Sequence, residues 1–285
     1  MKTAIRYLSY PLVAGGAAIG LFALAGRGVA YWPVFPLIVI GAITCVAALE
    51  RISPYQPVWN TDHDGDTGVD VLHFLVSYGL IQAVVVLAFG FGGWLPQGLK
   101  IWPETLPMTM QILLVGMTMD LGLYIMHRVS HRGGLLWRLH AIHHAPERIY
   151  WLNGGRRHPL SALVLASPGL VVLLTTGATP IAVGAWMSFM SVHLAFQHAN
   201  LDYRLGSFCL LLGVAEMHRF HHKRDFEDAQ VNFGEVFLIW DHLFGTFHDA
   251  SVSMQPGEVG LKDRDVPGNY IGQILWPMKR SRQVD

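Results

Sequence analysis

Long apolar runs alternate with short polar segments along almost the whole chain. The runs lie at about 7–25, 31–49, 69–91, 106–126, 160–176 and 179–196. A helix needs about 20 apolar residues to cross a bilayer, so each run spans it or nearly does. The last two runs are short and flank the turn "TTGATP", so they either span the bilayer or dip into it. The pattern predicts an all-α integral membrane protein with about four to six transmembrane helices, forming a single membrane domain over residues 1–285.

Two further segments refine this prediction. The stretch "LGSFCLLLGVA" at 205–215 is too short to cross and predicts an interfacial or buried helix. The N-terminus has a basic start and an apolar run, as a signal peptide would. Because it continues directly into a second apolar segment, we interpret it as the first membrane helix.

Composition agrees with a membrane location. The 285 residues are 52% hydrophobic and 14% charged, whereas charged residues reach about a quarter of a typical soluble domain. Lys plus Arg and Asp plus Glu number 20 each, so no basic field indicates nucleic-acid binding. The two cysteines lie far apart and form no redox or zinc motif. Histidine is the unusual residue, with 15 copies.

Arginine placement predicts the orientation in the membrane. The segment 127–159 carries six arginines, and further basic residues lie at the N-terminus and after residue 203. The only basic residues in the loops at 26–30 and 92–105 are Arg27 and Lys100. Since cytoplasmic loops are enriched in Lys and Arg, six crossings would place the N-terminus and the histidine-rich segments on the cytoplasmic side.

Three histidine motifs follow the apolar runs. They read "HRVSH" at 127–131, "HAIHH" at 140–144 and "HRFHH" at 218–222. In a helix, positions i, i+3 and i+4 share one face, so each motif presents its imidazoles together. One such motif could be a pair of core histidines, but three at one membrane boundary indicate a metal site. Eight imidazoles exceed what one ion binds, so the sequence predicts a cytoplasmic, helical cap holding two metal ions.

The residue types narrow the choice of metal. Imidazole suits iron, copper, zinc and nickel, and the scarcity of cysteine disfavours a structural zinc site. Two redox metals with open coordination positions would suit the binding and splitting of dioxygen. A histidine-rich metal transporter is the alternative, but its ligands should lie near the bilayer midplane rather than at the membrane boundary.

The order HxxxH, HxxHH, HxxHH resembles the fatty acid hydroxylase and sterol desaturase superfamily of membrane di-iron oxygenases. The blocks "RRHPL", "FQHANL" and "NFGEVFLIWDHLFGTF" are also similar to that family, over about residues 120–250. The resemblance implies two Fe²⁺ ions as cofactor and O2 as co-substrate. It implies these ligands: His127, His131, His140, His143, His144, His198, His218, His221 and His222. His158 is a further candidate, either as a ligand or as a hydrogen-bond partner of one.

Polar neighbours complete the candidate site. Asp120 lies inside an apolar run, seven residues before His127 and on the same helix face, so it is predicted to orient a ligand imidazole. Asn200 and Asp241 match family blocks and are candidates for the same role, although helix caps would explain them equally well. Asn232 is similar. His193 could join the site only if its helix ended before His198; otherwise it is bonded to a neighbour.

The resemblance implies a monooxygenase that hydroxylates an unactivated C–H bond of a lipid or sterol-like substrate. A desaturase using the same site is the nearest alternative, and a degenerate, non-catalytic relative would be expected to lack some of the ligands. No Rossmann fingerprint, P-loop or haem-attachment motif occurs in the sequence. Electrons are therefore expected from a separate donor, a cytochrome, ferredoxin or reductase. The oligomeric state stays open.

Overall fold

All six apolar runs form long helices. The computed structural model describes residues 1–62, 65–90, 99, 101–249, 253–263 and 265–279. His63, Lys100 and most of the loop at 92–105 therefore lie outside the described residues. The long helices are α1 (Lys2–Gly26), α2 (Val34–Ile52), α3 (Thr67–Phe89), α4 (Met108–Ser130), α6 (Pro159–Thr176) and α7 (Pro180–His198).

Shorter helices lie between and after them. They are α5 (Gly134–His144), α8 (Ala215–His221), α9 (Ile239–Phe244) and α10 (Tyr270–Leu275). Strand-like pairing in the described part of the chain is limited to three isolated bridges, so the all-α prediction is confirmed. The stretch at 205–215 forms only a 3-10 turn, Gly206–Leu210, before α8 begins.

Five helices are long and apolar enough to cross a membrane: α1, α2, α3, α4 and α6. The prediction of a multi-pass membrane protein with four to six spans is confirmed. The helix α7 differs because it carries His193, Gln197 and His198, and nearly all of its residues are buried against other helices. It is the central helix of the bundle, and its polar side chains face protein rather than lipid.

Successive long helices run in opposite directions, so their ends gather at two poles of the bundle. At one pole Arg6 of α1 pairs with Asp202, just after α7. At the same pole Pro54, after α2, bridges to Leu201. At the other pole the N–H of Leu99 donates to the carbonyl of Thr175, at the end of α6. The N-terminus and the end of α7 therefore share one pole, and the histidine motifs lie there too.

Two glycines let α4 and α6 approach closely. A Cβ on Gly122 would lie 2.6 Å from the backbone nitrogen of Gly169, and a Cβ on Gly169 would lie 2.8 Å from the Cα of Met119. Small residues at such crossings allow close backbone contact in membrane helices, where packing rather than hydrophobicity drives association. This contact fixes α4, which carries His127, against α6.

We expect Gly122→Ala to destabilise the fold by about 1–3 kcal/mol, because the new methyl group must push α4 and α6 apart. The measurement is the thermal unfolding midpoint in detergent micelles. Gly20→Ala is the matched control, since a Cβ on Gly20 of α1 meets nothing within 4 Å. Equal midpoints for the two variants would contradict the tight crossing.

Candidate metal centre

Nine histidine side chains converge at one pole of the bundle and form two groups. The potential ligand atoms within each group all lie within 4.8 Å of one another. The first group consists of His127, His131, His140, His144 and His221. The second consists of His143, His198, His218 and His222. All nine are buried, and the two groups adjoin, with the rings of His144 and His222 centred 4.4 Å apart.

Each HxxHH motif contributes to both groups. On α5, His140 and His144 face the first group while His143 faces the second. On α8 the assignment is reversed, because His218 and His222 belong to the second group and His221 to the first. Residues four apart lie nearly above one another on a helix, whereas the i+3 residue is rotated to one side. The repeated motif is therefore suited to joining two neighbouring sites.

The ring nitrogens are arranged as a cation would require. His127 Nδ1 lies 2.8 Å from the carbonyl oxygen of Phe233, and His221 Nδ1 lies 2.8 Å from that of Val231. A carbonyl only accepts, so both Nδ1 atoms carry the proton and both Nε2 atoms present a lone pair. Those two Nε2 atoms face each other at 2.9 Å. Two unprotonated nitrogens at this distance repel unless a cation lies beside both.

The other contacts between imidazoles have the same spacing. The Nε2 atoms of His140 and His144 are 3.1 Å apart, and His218 Nε2 lies 2.9 Å from His198 Nε2 and 3.0 Å from His222 Nε2. Two nitrogens bound to one ion at about 2.1 Å, and at about a right angle, would be about 3.0 Å apart. His143 has no hydrogen-bond partner on either ring nitrogen among the described residues. The donor set fits two transition-metal ions.

Burial keeps these side chains in the form that binds metal. Desolvation lowers the pKa of each α5 and α8 histidine well below its usual value, and the neighbouring imidazoles add to the effect. A metal ligand must be the neutral imidazole, since a protonated ring has no free lone pair at the second nitrogen. These imidazoles are therefore neutral at neutral pH, the form in which they can bind a metal ion.

Two carboxylates fix the loop that holds these imidazoles. Asp241 accepts hydrogen bonds from the backbone N–H groups of Phe233 and Gly234, each at 2.8 Å, and from the hydroxyl of Thr246 at 2.7 Å. The Asp120 carboxylate accepts from the backbone N–H groups of Val236 and Phe237, at 2.7 and 3.0 Å. Asp120 was predicted to orient a ligand imidazole; its bonds go to the loop that also carries the Phe233 carbonyl, the hydrogen-bond partner of His127.

Three asparagines bond to the segments around the imidazoles, and one of them contacts a ring. Asn153, in the 3-10 turn Trp151–Gly155, places its Oδ1 3.2 Å from His198 Nδ1. Asn200 contacts the α2–α3 connection instead, bonding both backbone groups of Gln56 and the side chain of Asn60. Asn200 therefore anchors the end of α7 and does not meet an imidazole through these bonds. Asn232, with a φ of 55°, bonds the backbone of His248 in a similar way.

His158 and His193 lie outside both groups. His158 caps α6, since its Nδ1 accepts from the N–H of Leu160, and its Nε2 donates to the carbonyl of Ile274. His193 Nδ1 lies 2.7 Å from the Tyr10 hydroxyl, and its Nε2 contacts the carbonyls of Gly213 and Glu235. Because α7 continues unbroken to His198, the two histidines point in different directions.

Comparison with known proteins agrees with the predicted resemblance. The sequence profile described as "Fatty acid hydroxylase" matches residues 112–246, a span that contains all nine converging histidines. The predicted resemblance to this family is thereby confirmed over that part of the chain. No solved structure matches the chain.

Relatives of this chain include three named enzymes. The ornithine lipid hydroxylase OlsE of Rhizobium tropici is 29% identical over 98% of this chain and 86% of its own length. An alkylglycerol monooxygenase of Danio rerio is 31% identical, over 45% of this chain and 28% of its own length. Methylsterol monooxygenase 2-2 of Arabidopsis thaliana is 28% identical, over 61% of this chain and 65% of its own length.

Several groups around the site were not identified in the sequence. The carbonyls of Val231 and Phe233 carry no side-chain signal at all. Asn153 lies in "WLNGG", where an asparagine before two glycines indicates only a turn. Arg157 forms an ion pair with Glu235 next to the first group, its Nη2 donating to both carboxylate oxygens at 2.9 and 3.0 Å. They lie 78 positions apart in the sequence, and no motif connects them.

We expect His143→Ala to retain ~half of the wild-type metal, because the second group would keep three ligands and bind its ion weakly. His158→Asn should retain the full amount, since asparagine also caps helices and His158 lies outside both groups. Metal content is measured by mass spectrometry after identical purification. A larger loss in His158→Asn than in His143→Ala would contradict the two-group assignment.

Asp241→Ala should weaken metal binding about 10–100-fold, because the loop that holds the tautomer of His127 would lose three hydrogen bonds. The measurement is the rate of metal loss to a chelator. Asp228→Ala is the control, since that carboxylate is largely exposed and pairs with Lys223. Equal rates for the two variants would show that the loop does not support the centre.

Proposed function

We propose that this protein is a membrane di-iron monooxygenase that hydroxylates an unactivated C–H bond of a lipid. One observation carries the proposal: an apolar cavity between the long helices is lined by Glu235, which lies 3.9 Å from His127 of the first group, and by Gly154, which packs against His198 of the second. Overall, the C–H bond, one dioxygen molecule, two electrons and two protons give an alcohol and water. The relatives are named as lipid and sterol hydroxylases and monooxygenases, which supports the same reaction class.

Iron is the metal that we propose for both groups. When bound, a pair of iron ions would supply dioxygen binding and oxidation of the C–H bond. The first group would hold one ion and the second the other. The chain's own part is to keep nine imidazoles neutral and oriented, and to shield the centre from water by burying it.

The cavity is suited to a lipid. It is lined by residues of α3, α4, α6 and α7. Apolar side chains dominate its wall, including Leu123, Leu165, Ala166, Met187 and Met190. An apolar chain can enter such a cavity from the bilayer without exposure to water, and burying it there costs no hydrogen bonds.

The polar end of the cavity lies next to the first imidazole group. Arg157 and Glu235 both line the cavity, and Glu235 Oε1 lies 3.9 Å from His127 Nδ1. Their ion pair compensates both charges, so the two side chains can face an apolar cavity. A lipid bound in the cavity would thus present a carbon beside the metal centre, with its apolar part among the helices.

The proposal includes a cytoplasmic location for the centre. The N-terminus and the histidine motifs share one pole of the bundle, and that pole carries most of the arginines. Imidazoles gathered at the pole, rather than along the bundle axis, disfavour the transport of a metal ion. A desaturase would use the same site, and the experiment below distinguishes it from a hydroxylase.

The test is oxygen-dependent product formation. The protein is purified anaerobically with iron, then supplied with dithionite, dioxygen and a total lipid extract, and the products are followed by mass. A gain of about 16 mass units on a lipid, with label from ¹⁸O2, is the expected result. A loss of two mass units would establish a desaturase instead. No change with an iron-loaded protein would contradict an oxygenase.

Blocking the cavity should abolish this product while leaving the metal in place. We expect Ala166→Phe to lower lipid oxidation at least ~10-fold, because the ring fills the space that a lipid chain would take. Ala48→Phe, on the exposed face of α2, is the matched control. Metal content and unfolding midpoint are measured for both, and unimpaired oxidation in Ala166→Phe, with the fold intact, would contradict the cavity assignment.

A further inference from the structure

Most of the polar side chains in the wall of the apolar cavity have partners within the protein. Ser77 Oγ donates to the carbonyl of Arg157 at 2.6 Å, and the Arg157 guanidinium pairs with Glu235. Ser191 Oγ donates to the carbonyl of Met187 at 2.9 Å. These positions of the wall are polar, but their hydrogen bonds are already made.

Tyr78 and Gln82 are the exceptions. Both side chains line the cavity, and among the described residues neither has a hydrogen-bond partner. They lie one helical turn apart on α3, so they share one face of that helix. A polar side chain inside a membrane-crossing segment is costly unless its hydrogen bonds are made, and such residues are typically functional. Two of them side by side on one cavity wall indicate a ligand that pairs with both.

The position of the two side chains relative to the metal centre follows from α3. This helix begins at the pole that holds the imidazoles. Its residue Phe74 packs against the 3-10 turn Trp151–Gly155, which contacts His198 of the second group. Tyr78 and Gln82 follow Phe74 by one and two turns, about 6 and 12 Å farther along the helix axis. A group that both side chains bind is therefore held at a set distance from the centre.

The atoms of the two side chains define what they can bind. The Gln82 carboxamide has N–H donors and an acceptor oxygen, and the Tyr78 hydroxyl both donates and accepts. A hydrocarbon chain would leave all of these groups without partners. An ester would accept from the donors but would offer nothing to the Gln82 oxygen. A secondary amide or a hydroxyl has both a donor and an acceptor, so it can satisfy both side chains.

We propose that Tyr78 and Gln82 form a subsite for a donor-and-acceptor group of the lipid, a secondary amide or a hydroxyl, and that this subsite determines which carbon reaches the metal centre. The inference deepens the proposed function and rests on it, because the cavity is taken as the substrate's binding site. Along a purely apolar wall every methylene group of a chain is equivalent, so the chain can slide. A hydrogen-bonded group fixes its position.

The first test measures binding without turnover. The iron-loaded protein is placed in nanodiscs without a reductant, and its retention of tritiated probes is compared with that of empty nanodiscs. Four probes have chains of equal length: N-octyldecanamide, the ester octyl decanoate, nonadecane, and nonadecanol with its hydroxyl on the middle carbon. The amide, the alcohol or both should be retained at least ~10-fold better than the ester and the hydrocarbon, and the comparison identifies the preferred group.

Two variants assign this preference to the subsite. Gln82→Leu and Tyr78→Phe should each lower it at least ~5-fold and leave the retention of nonadecane unchanged. Tyr78→Phe removes a single oxygen, so it keeps the test valid if Gln82→Leu alters packing. Thr44→Val is the matched control, because this hydroxyl on the exposed face of α2 bonds within its own helix. Equal retention of the ester and the preferred probe by wild type, or a preference unchanged in both variants, would overturn the subsite.

The choice of carbon has its own readout. During turnover with dithionite and dioxygen, wild type should oxidise the retained probe at one carbon, and moving the polar group along the chain should move that carbon by the same distance. Gln82→Leu should spread oxidation over several carbons. A position that stays constant relative to the chain end would overturn the role of the subsite in choosing the carbon. Selective binding without any oxidised product would instead contradict the proposed function.

Discussion

The rest of the structure depends on one constraint: unprotonated ring nitrogens of the nine histidines face one another in a buried interior. His127 and His221 each have Nδ1 committed to a carbonyl, so their Nε2 atoms meet at 2.9 Å with no proton between them. Such a contact is unfavourable in the metal-free protein and favourable around a cation. The surrounding structure must therefore hold the imidazoles together against their own repulsion.

The supports for this arrangement come mostly from backbone groups. Asp241 and Asp120 accept backbone N–H bonds from the 233–237 loop, which in turn presents the Phe233 carbonyl to His127. Both carboxylates are completely buried. Through these hydrogen bonds the two carboxylates stabilise the conformation of the loop rather than contact a metal or a substrate. The close crossing at Gly122 and Gly169 serves the same end, because it fixes the helix that carries His127.

The position of the centre at a pole of the bundle gives it two different surroundings. On the membrane side, α3, α4, α6 and α7 enclose an apolar cavity that ends at the Arg157–Glu235 pair. On the aqueous side, a charged groove ends at His144 and Trp137. The centre thus has two separate paths leading to it, one apolar and one charged. A site at the bilayer midplane would not offer this separation.

The sequence by itself determined the helices and the ligand types, because both depend on local periodicity. Apolar runs of about 20 residues predict the membrane helices, and HxxHH places its imidazoles on one face wherever the helix lies. It could not determine how each motif divides between the two groups, since the reversed roles of His143 and His221 depend on how α5 and α8 meet. It also left the roles of His158 and His193 open, because a helix cap and a hydroxyl partner are visible only when distant segments come together.

Only the tertiary structure brought the carbonyl of Phe233, Asn153 and the Arg157–Glu235 pair to the site. Backbone carbonyls have no sequence signal, and a pairing across 78 residues is decided by packing rather than by spacing.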